Sequence, residues 1–324
     1  MESAGFYGFE GELNGWMSLV TLNTRAPLAP LATDSAEDTP VQQGYVEMLK
    51  KFDLQLHRAQ AMVLFTVMPV ENRKEYIDRY FQCVEAEDLD GLLKNTVGDV
   101  DEEVLESNPI LQDLLSQVRQ ERFSEEMDSL SENQLEICKA SFDHTFLVNA
   151  GPGSGKTHVL IMRCAHLIHM RKIDPAAILV LAFNRAVVYE IRDRIRKLFR
   201  ALGYGSYANR LDVSTFHSFA LRHQQATDIY QEDAIGQAVH TFTENMESDE
   251  EFARTIGSRY KAVLVDEFQD TNAIQYKWLK LLAGKKGIPF VVGDDDQSIY
   301  SWRGAEIRNF LDFSKTYKNT KIIK

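Results

Sequence analysis

Apolar residues recur every three or four positions through Val46, Leu49, Phe52, Leu56, Ala59 and Val63, and the same spacing returns in 76–84 and 110–123. That period predicts helices with one buried face. From about residue 131 the pattern changes. Short apolar runs, Phe146–Asn149, Ala177–Phe183, Ala262–Val265 and Pro289–Val292, alternate with amphipathic stretches such as Lys156–Met170 and Arg185–Leu202. Such runs read as buried strands joined by helices, so the expected fold class is α/β: a parallel sheet with helices on both faces, preceded by a mostly helical N-terminal unit. Nearer the start, Asn14-Gly15 between apolar residues is a hairpin signal, and Pro27, Pro30 and Pro40 mark an extended linker. The expected organisation is a hairpin and linker over 1–40, a helical domain over 41–128 and an α/β lobe over 129–324. A short helical insertion is expected at about 223–258.

Composition is that of an ordinary globular protein, with 324 residues, 44% apolar and 26% charged, which excludes collagen-like and disordered classes. Charge divides the chain. Residues 1–130 carry 10 Lys+Arg against 25 Asp+Glu, a net of −15, whereas the remainder is +3. The acidity therefore belongs to the front, where it reads as solvated helix faces or as a surface for an unknown protein partner, and a basic groove in the rear stays open. Cys83, Cys138 and Cys164 are an odd set at spacings that suit neither a disulfide framework nor a zinc site. The longest apolar run, Ala61–Val70, is too short to span a bilayer, and the N-terminus shows neither a secretory nor a transit pattern. The reading is a cytoplasmic protein with no membrane contact.

Two motifs carry chemistry. Phe146–Asn149 runs into Ala150, Gly151, Pro152, Gly153, Ser154, Gly155, Lys156 and Thr157, followed by His158 on a helix. This is the strand, loop and helix of a P-loop, with alanine where the strict pattern begins with glycine. Gly151, Gly153 and Gly155 leave room for backbone N–H groups to face a polyphosphate, and the helix aims its positive end at the same place. Lys156 would reach the β- and γ-phosphates, and the Thr157 hydroxyl would ligate Mg²⁺. The second motif, Asp266-Glu267, closes the strand 262–265. Asp266 suits a position beside Mg²⁺, and Glu267 suits polarising the attacking water, which favours hydrolysis over transfer to an alcohol.

Over about residues 130–324 the chain resembles the UvrD/Rep family of superfamily 1 DNA helicases. Leu130-Ser-Glu-Asn-Gln134 is similar to the family's adenine-reading segment, in which the Gln134 amide pairs both edges of the base. Leu181-Ala-Phe183-Asn184-Arg185-Ala186, with Glu190 and Arg194, is similar to its first DNA-contacting motif, with one residue more before Glu190. Thr215-Phe-His217-Ser-Phe219 with Arg222 is similar to the next. Asp266-Glu-Phe-Gln269-Asp270-Thr-Asn272 resembles its Mg²⁺ and water-activating box, with Gln269 and Asp270 linking nucleotide and DNA sites. The run 291–305 is its most specific motif, holding Gln297, Tyr300, Trp302 and Arg303. Gln297 would sense the γ-phosphate, and Tyr300 and Trp302 would offer faces on which bases stack, with Arg303 adding a cation.

The resemblance implies a RecA-like lobe that binds ATP and Mg²⁺ and contacts single-stranded or partly duplex DNA. Its nucleotide contacts would include Arg185 and His158, and its DNA contacts Phe183, Asn184, Thr215, His217, Tyr300, Trp302 and Arg303. It also implies a second RecA-like lobe, expected C-terminal to residue 324, that brings the arginines needed for fast hydrolysis. Two other readings stay open: an ATP-regulated module that binds DNA or protein without unwinding, and a catalytically silent homologue acting through its acidic front.

Overall fold

The computed structural model describes residues 40–85, 88–140, 145–223, 234–283, 289–297, 306–317 and 319–323. The Asn14-Gly15 turn, Pro27, Pro30, Tyr300, Trp302 and Arg303 lie outside them. The chain divides into two compact units, 1–121 and 122–324.

The described part of the first unit is helical: α1 (Pro40–Val67), α2 (Arg73–Glu85), α3 (Leu89–Thr96), α4 (Glu102–Ser107) and α5 (Pro109–Asp128), whose last turns belong to the second unit. Its core gathers the apolar stripe of α1, from Ala61 to Phe65, with Tyr76 and Tyr80 of α2, Leu89, Leu92 and Leu93 of α3, and Leu111 to Val118 of α5. Short α3 and α4 have no long period to announce them. Local capping starts them instead, since the Asp88 carboxylate accepts from Gly91 N at 3.3 Å and the Asp101 carboxylate from Glu103 N at 3.0 Å.

The second unit is α/β. Its described elements run α6 (Glu132–Lys139), β1 (Thr145–Asn149), α7 (Lys156–His169), β2 (Ile178–Ala182), α8 (Arg185–Ala201), β3 (Asp212–Thr215), α9 (Phe216–Arg222), α10 (Ala234–Ser248), α11 (Glu250–Arg259), β4 (Ala262–Val265), α12 (Ala273–Ala283), β5 (Phe290–Gly293), α13 (Ile307–Leu311), α14 (Phe313–Thr316) and β6 (Thr320–Ile323). All pairings are parallel, in the order β3-β2-β4-β5-β1-β6. Side chains alternate across the strands. Phe146, Val148, Val180, Leu264 and Val292 face one core, shared with α7 and α8, while Leu147, Leu179, Leu181, Val265 and Val291 face another, shared with α9 to α14. The expected sheet with helices on both faces is therefore present.

Two features depart from the sequence reading. Asp212–Thr215 is a strand that the apolar-run criterion misses, because Asp212 and Ser214 interrupt it. Within the helical insertion expected at 223–258, the described residues form two helices, since Asp249 breaks the run and caps α11 by accepting from Phe252 N at 2.9 Å.

Candidate nucleotide and metal site

The site lies beyond the carboxyl ends of β1, β4 and β5, where parallel α/β sheets place their ligands. The loop after β1 turns into α7 through Gly155, whose φ of 84° is left-handed. A Cβ there would also approach Gln134 Nε2 to 3.0 Å, a tight contact added to a conformation that already favours glycine. Ala150, the departure from the strict motif, is half-buried against the core, and its N–H donates to the Gly293 carbonyl of β5 at 3.1 Å. Gly151, Pro152, Gly153 and Ser154 form the exposed crest of the loop, and the Ser154 hydroxyl donates to Gly151 O at 2.8 Å. His158 is half-buried in the first turn of α7.

Lys156 and Thr157 begin that helix. Lys156 Nζ donates to Ala150 O at 2.6 Å and Gly151 O at 3.2 Å and stands 3.7 Å from Asp294, which follows β5. Thr157 Oγ1 donates to Asp266 Oδ2 at 3.1 Å, joining α7 to the end of β4. Burial, followed by the charge of Glu267, pushes the Asp266 carboxyl up to about 6. Glu267 sits at φ 51°, a conformation a glutamate adopts at a cost. Gln269 bridges from it: Nε2 donates to Glu267 Oε2 at 2.9 Å, and Oε1 accepts from Asp294 N at 3.1 Å. Gly293 is needed for this approach, because a Cβ would collide with the Gln269 amide and come within 2.8 Å of the Phe310 ring. Asp270 is also raised to about 6 by burial and by Glu267, and its Oδ1 is buried without a hydrogen-bond partner among the described residues. Gln297 ends the turn after β5, with its N–H on Asp294 O at 3.2 Å.

Beside the loop, Ser131, Asn133, Gln134, Ile137, Val148 and Ile323 help line a cavity of about 210 Å³. Gln134 is held by a capping box: its Oε1 accepts from Ser131 N at 3.0 Å, and its Nε2 donates to Ser154 O at 3.2 Å. The far end of α6 is anchored by a residue that motif reading passes over. Buried Arg163 of α7 donates through Nη1 to Cys138 O at 2.7 Å and to Ala140 O, with its guanidinium 5.8 Å over the Phe290 ring. Burial lowers its pKa to about 10. An arginine within an otherwise apolar helix face was the available signal.

A divalent cation fits this donor set. A hydroxyl and a buried carboxylate converge from two elements, and that carboxylate resists ionising in their present surroundings. Thr157 and Asp266 are the residues that would hold Mg²⁺.

The other sequence-predicted residues stand apart from this cluster. β2 is three places from β1, and Arg185 is exposed at the start of α8. Phe183 and Asn184 precede it, and the Asn184 side chain caps α8 by accepting from Val187 N at 2.9 Å. Thr215 caps α9 through Ser218 N at 3.0 Å, and His217 is half-buried, with its pKa lowered by burial. Arg222 is tied to Asp212 and Ser214 at 2.7 and 2.6 Å, and Tyr260 donates to the other Asp212 oxygen at 2.7 Å. Burial pushes the Asp212 carboxyl up, but these bonds outweigh it and hold the group below its ordinary value. Glu190 and Arg194 pair with each other at 2.5 Å on the exposed side of α8.

A P-loop on a parallel sheet, faced by an acidic strand end, defines the P-loop class of nucleotide-binding lobes. The family model for the UvrD/REP helicase N-terminal domain matches residues 130–232 and 223–318. The chain belongs to that family. DNA helicase II of Haemophilus influenzae is 31% identical over 275 residues, covering 60% of this chain and 38% of the relative. The Escherichia coli DNA helicase II is 28% identical over 278 residues, covering 61% and 38%. The ATP-dependent DNA helicase PcrA of Staphylococcus aureus is 26% identical over 279 residues, covering 61% and 37%. The chain thus spans under two-fifths of the length of these relatives. No helix among the described residues is long and apolar enough to cross a membrane.

Proposed function

We propose that residues 129–324 are the ATP-binding motor lobe of an ATP-dependent DNA helicase or translocase that acts on single-stranded DNA. The observation that carries this reading is the meeting of Lys156 and Thr157 from the start of α7 with Asp266 and Glu267 from the end of β4, at one end of the sheet. Lys156 supplies positive charge to the phosphates from the first turn of a helix whose dipole has the same sign. Glu267, fixed by Gln269, orients the attacking water and takes its proton. Mg²⁺ held by Thr157 and Asp266 would neutralise phosphate charge. The cavity beside Gln134 takes the adenine, and the Gln134 amide reads its edge. His158 completes the nucleotide contacts, whereas Arg185, exposed at the start of α8 and apart from the P-loop, is left out of them; Gln297 reports the state of the terminal phosphate to the DNA-facing residues downstream.

Hydrolysis is proposed to need a second lobe. Among the described residues, the side chains bonded or ion-paired to those of Lys156, Asp266 and Glu267 are Asp294, Thr157 and Gln269, none of them an arginine. An arginine finger is worth about 10³- to 10⁵-fold in rate. Phe183, Asn184, Thr215, His217, Tyr300, Trp302 and Arg303 are the proposed DNA contacts, and the acidic front is proposed to meet a protein partner. The test is ATP binding and steady-state turnover by this chain, with and without single-stranded DNA. The reading expects binding with slow turnover. Fast, DNA-stimulated turnover that Lys156→Ala abolishes would overturn the need for a second lobe, and failure to bind ATP would overturn the motor reading.

A further inference from the structure

Helix α8 carries six basic residues and two acidic ones in a chain whose net charge is −12. The two acids are consumed locally: Glu190 pairs with Arg194 at 2.5 Å and Asp193 with Lys197 at 2.7 Å. What is left is a stripe. At 3.6 residues per turn, Arg185, Tyr189, Arg192, Arg196 and Arg200 fall within about 80° of arc and span about 22 Å of the helix. All five are exposed, Tyr189 by 69%. Among the described residues no carboxylate pairs with Arg185, Arg196 or Arg200, while Arg192 gives one N–H to Val213 O at 2.6 Å. A further guanidinium stands at the helix end, where Arg122 donates to Ala201 O at 3.1 Å.

Stability alone does not account for this arrangement. Arg185 occupies the first helical position, and the first turn holds no acid, so positive charge is placed at the end where the helix dipole opposes it. Like charges also repeat at i, i+4 along the stripe, which disfavours the helix. Four arginines with a tyrosine among them match a polyanion that carries flat rings. Arg192, Arg196 and Arg200 follow one another at an axial step of about 6 Å, commensurate with successive phosphates of a nucleic-acid strand.

We propose that the Arg185–Arg200 stripe binds the sugar-phosphate backbone of a nucleic-acid strand, continuing the contact that begins at Phe183 and Asn184. This surface rests on the DNA-acting reading above and extends it from the sheet edge down the outer face of one helix.

The test uses the full chain and fluorescent oligo-dT, with affinity measured across a salt series for the wild type, Arg196→Gln/Arg200→Gln and Arg196→Lys/Arg200→Lys. Each phosphate contact to a single strand contributes about 0.7 to the slope of log K against log salt. The glutamine variant is expected to lose about 1.4 of that slope and at least tenfold in affinity at low salt, while the lysine variant keeps most of the slope. ATP affinity and melting temperature should not change in either. An unaltered slope in the glutamine variant overturns the stripe and leaves the motor reading standing. Loss of polyglutamate binding with DNA binding intact also overturns it, and assigns the face to an acidic protein segment. A wild type that binds ATP without binding oligo-dT removes the stripe and the DNA-acting reading together.

Discussion

The two units are stabilised by different kinds of interior. Between α1 and α5, the buried polar residues described are Gln60 and Thr96, and Thr96 simply returns its hydroxyl to Leu92 O at 2.7 Å. Tyr76 does likewise with Ala61 O at 2.9 Å. The rest of that core is apolar, and its acids stay at caps and on solvated faces. The α/β unit buries Arg163, Asp266, Gln269, Asp270 and Asp294. Except for Arg163, these gather at one end of the sheet. A buried charge is expensive unless paired or held for a task, so the α/β unit gives up stability for chemistry where the helical unit does not.

That contrast can be tested by substitution. The largest loss is expected from Arg163→Met, which keeps the bulk but leaves the Cys138 and Ala140 carbonyls without their donor. About 3 kcal/mol of stability in the α/β unit should be lost, read by denaturant unfolding, with ATP affinity falling because α6 no longer holds Gln134. Gly293→Ala should cost about 1–3 kcal/mol through overpacking against Phe310 and the Gln269 amide. It should lower ATP turnover more than ATP affinity, because it disturbs the Gln269 bridge from Asp294 to Glu267.

A pH effect of the order of 2 kcal/mol is expected from His166. It is buried, and burial together with Arg163 and Arg171 holds its pKa at about 4 against an ordinary 6.5. Its neutral form is the native one. Its contribution is full above pH 6.5 and is lost as pH falls towards 4, where the unfolded chain takes the proton. Asp266 and Asp270, raised to about 6, run the other way in that window. The difference between wild type and His166→Phe in a calorimetric pH series isolates the histidine, and a difference independent of pH would refute it. The smallest effect belongs to the helical unit. Asp101→Ala should remove a cap worth about 1 kcal/mol and leave ATP affinity untouched.

Much of this architecture was legible in the chain. The strands of the α/β unit read as continuous apolar runs because both faces of the sheet are covered, and the P-loop read from its glycines because little else can wrap phosphate. Asp212–Thr215 escaped notice because its polar residues serve a network: Asp212 gathers Ser214 of its own strand, Arg222 of α9 and Tyr260, which follows α11. The same holds for Arg163 and for the bridge that Gln269, itself named by its motif, makes to Asp294. Their partners lie 25 residues away in sequence, and no local period encodes such a pairing. Arg222, named with its motif, is also held by a carboxylate of its own fold, a partner that the motif does not announce.

The central claim is that Lys156, Thr157 and Asp266 form one ATP–Mg²⁺ site, and equilibrium binding of ATP tests it most directly. The measurement compares wild type, Lys156→Ala and Thr157→Ala, with Mg²⁺ and with EDTA. The account predicts that wild type binds ATP, that EDTA weakens it at least tenfold, that Thr157→Ala shows little further loss in EDTA, and that Lys156→Ala weakens binding about 10²-fold. Equal affinities for wild type and Lys156→Ala, unaffected by EDTA, would contradict it.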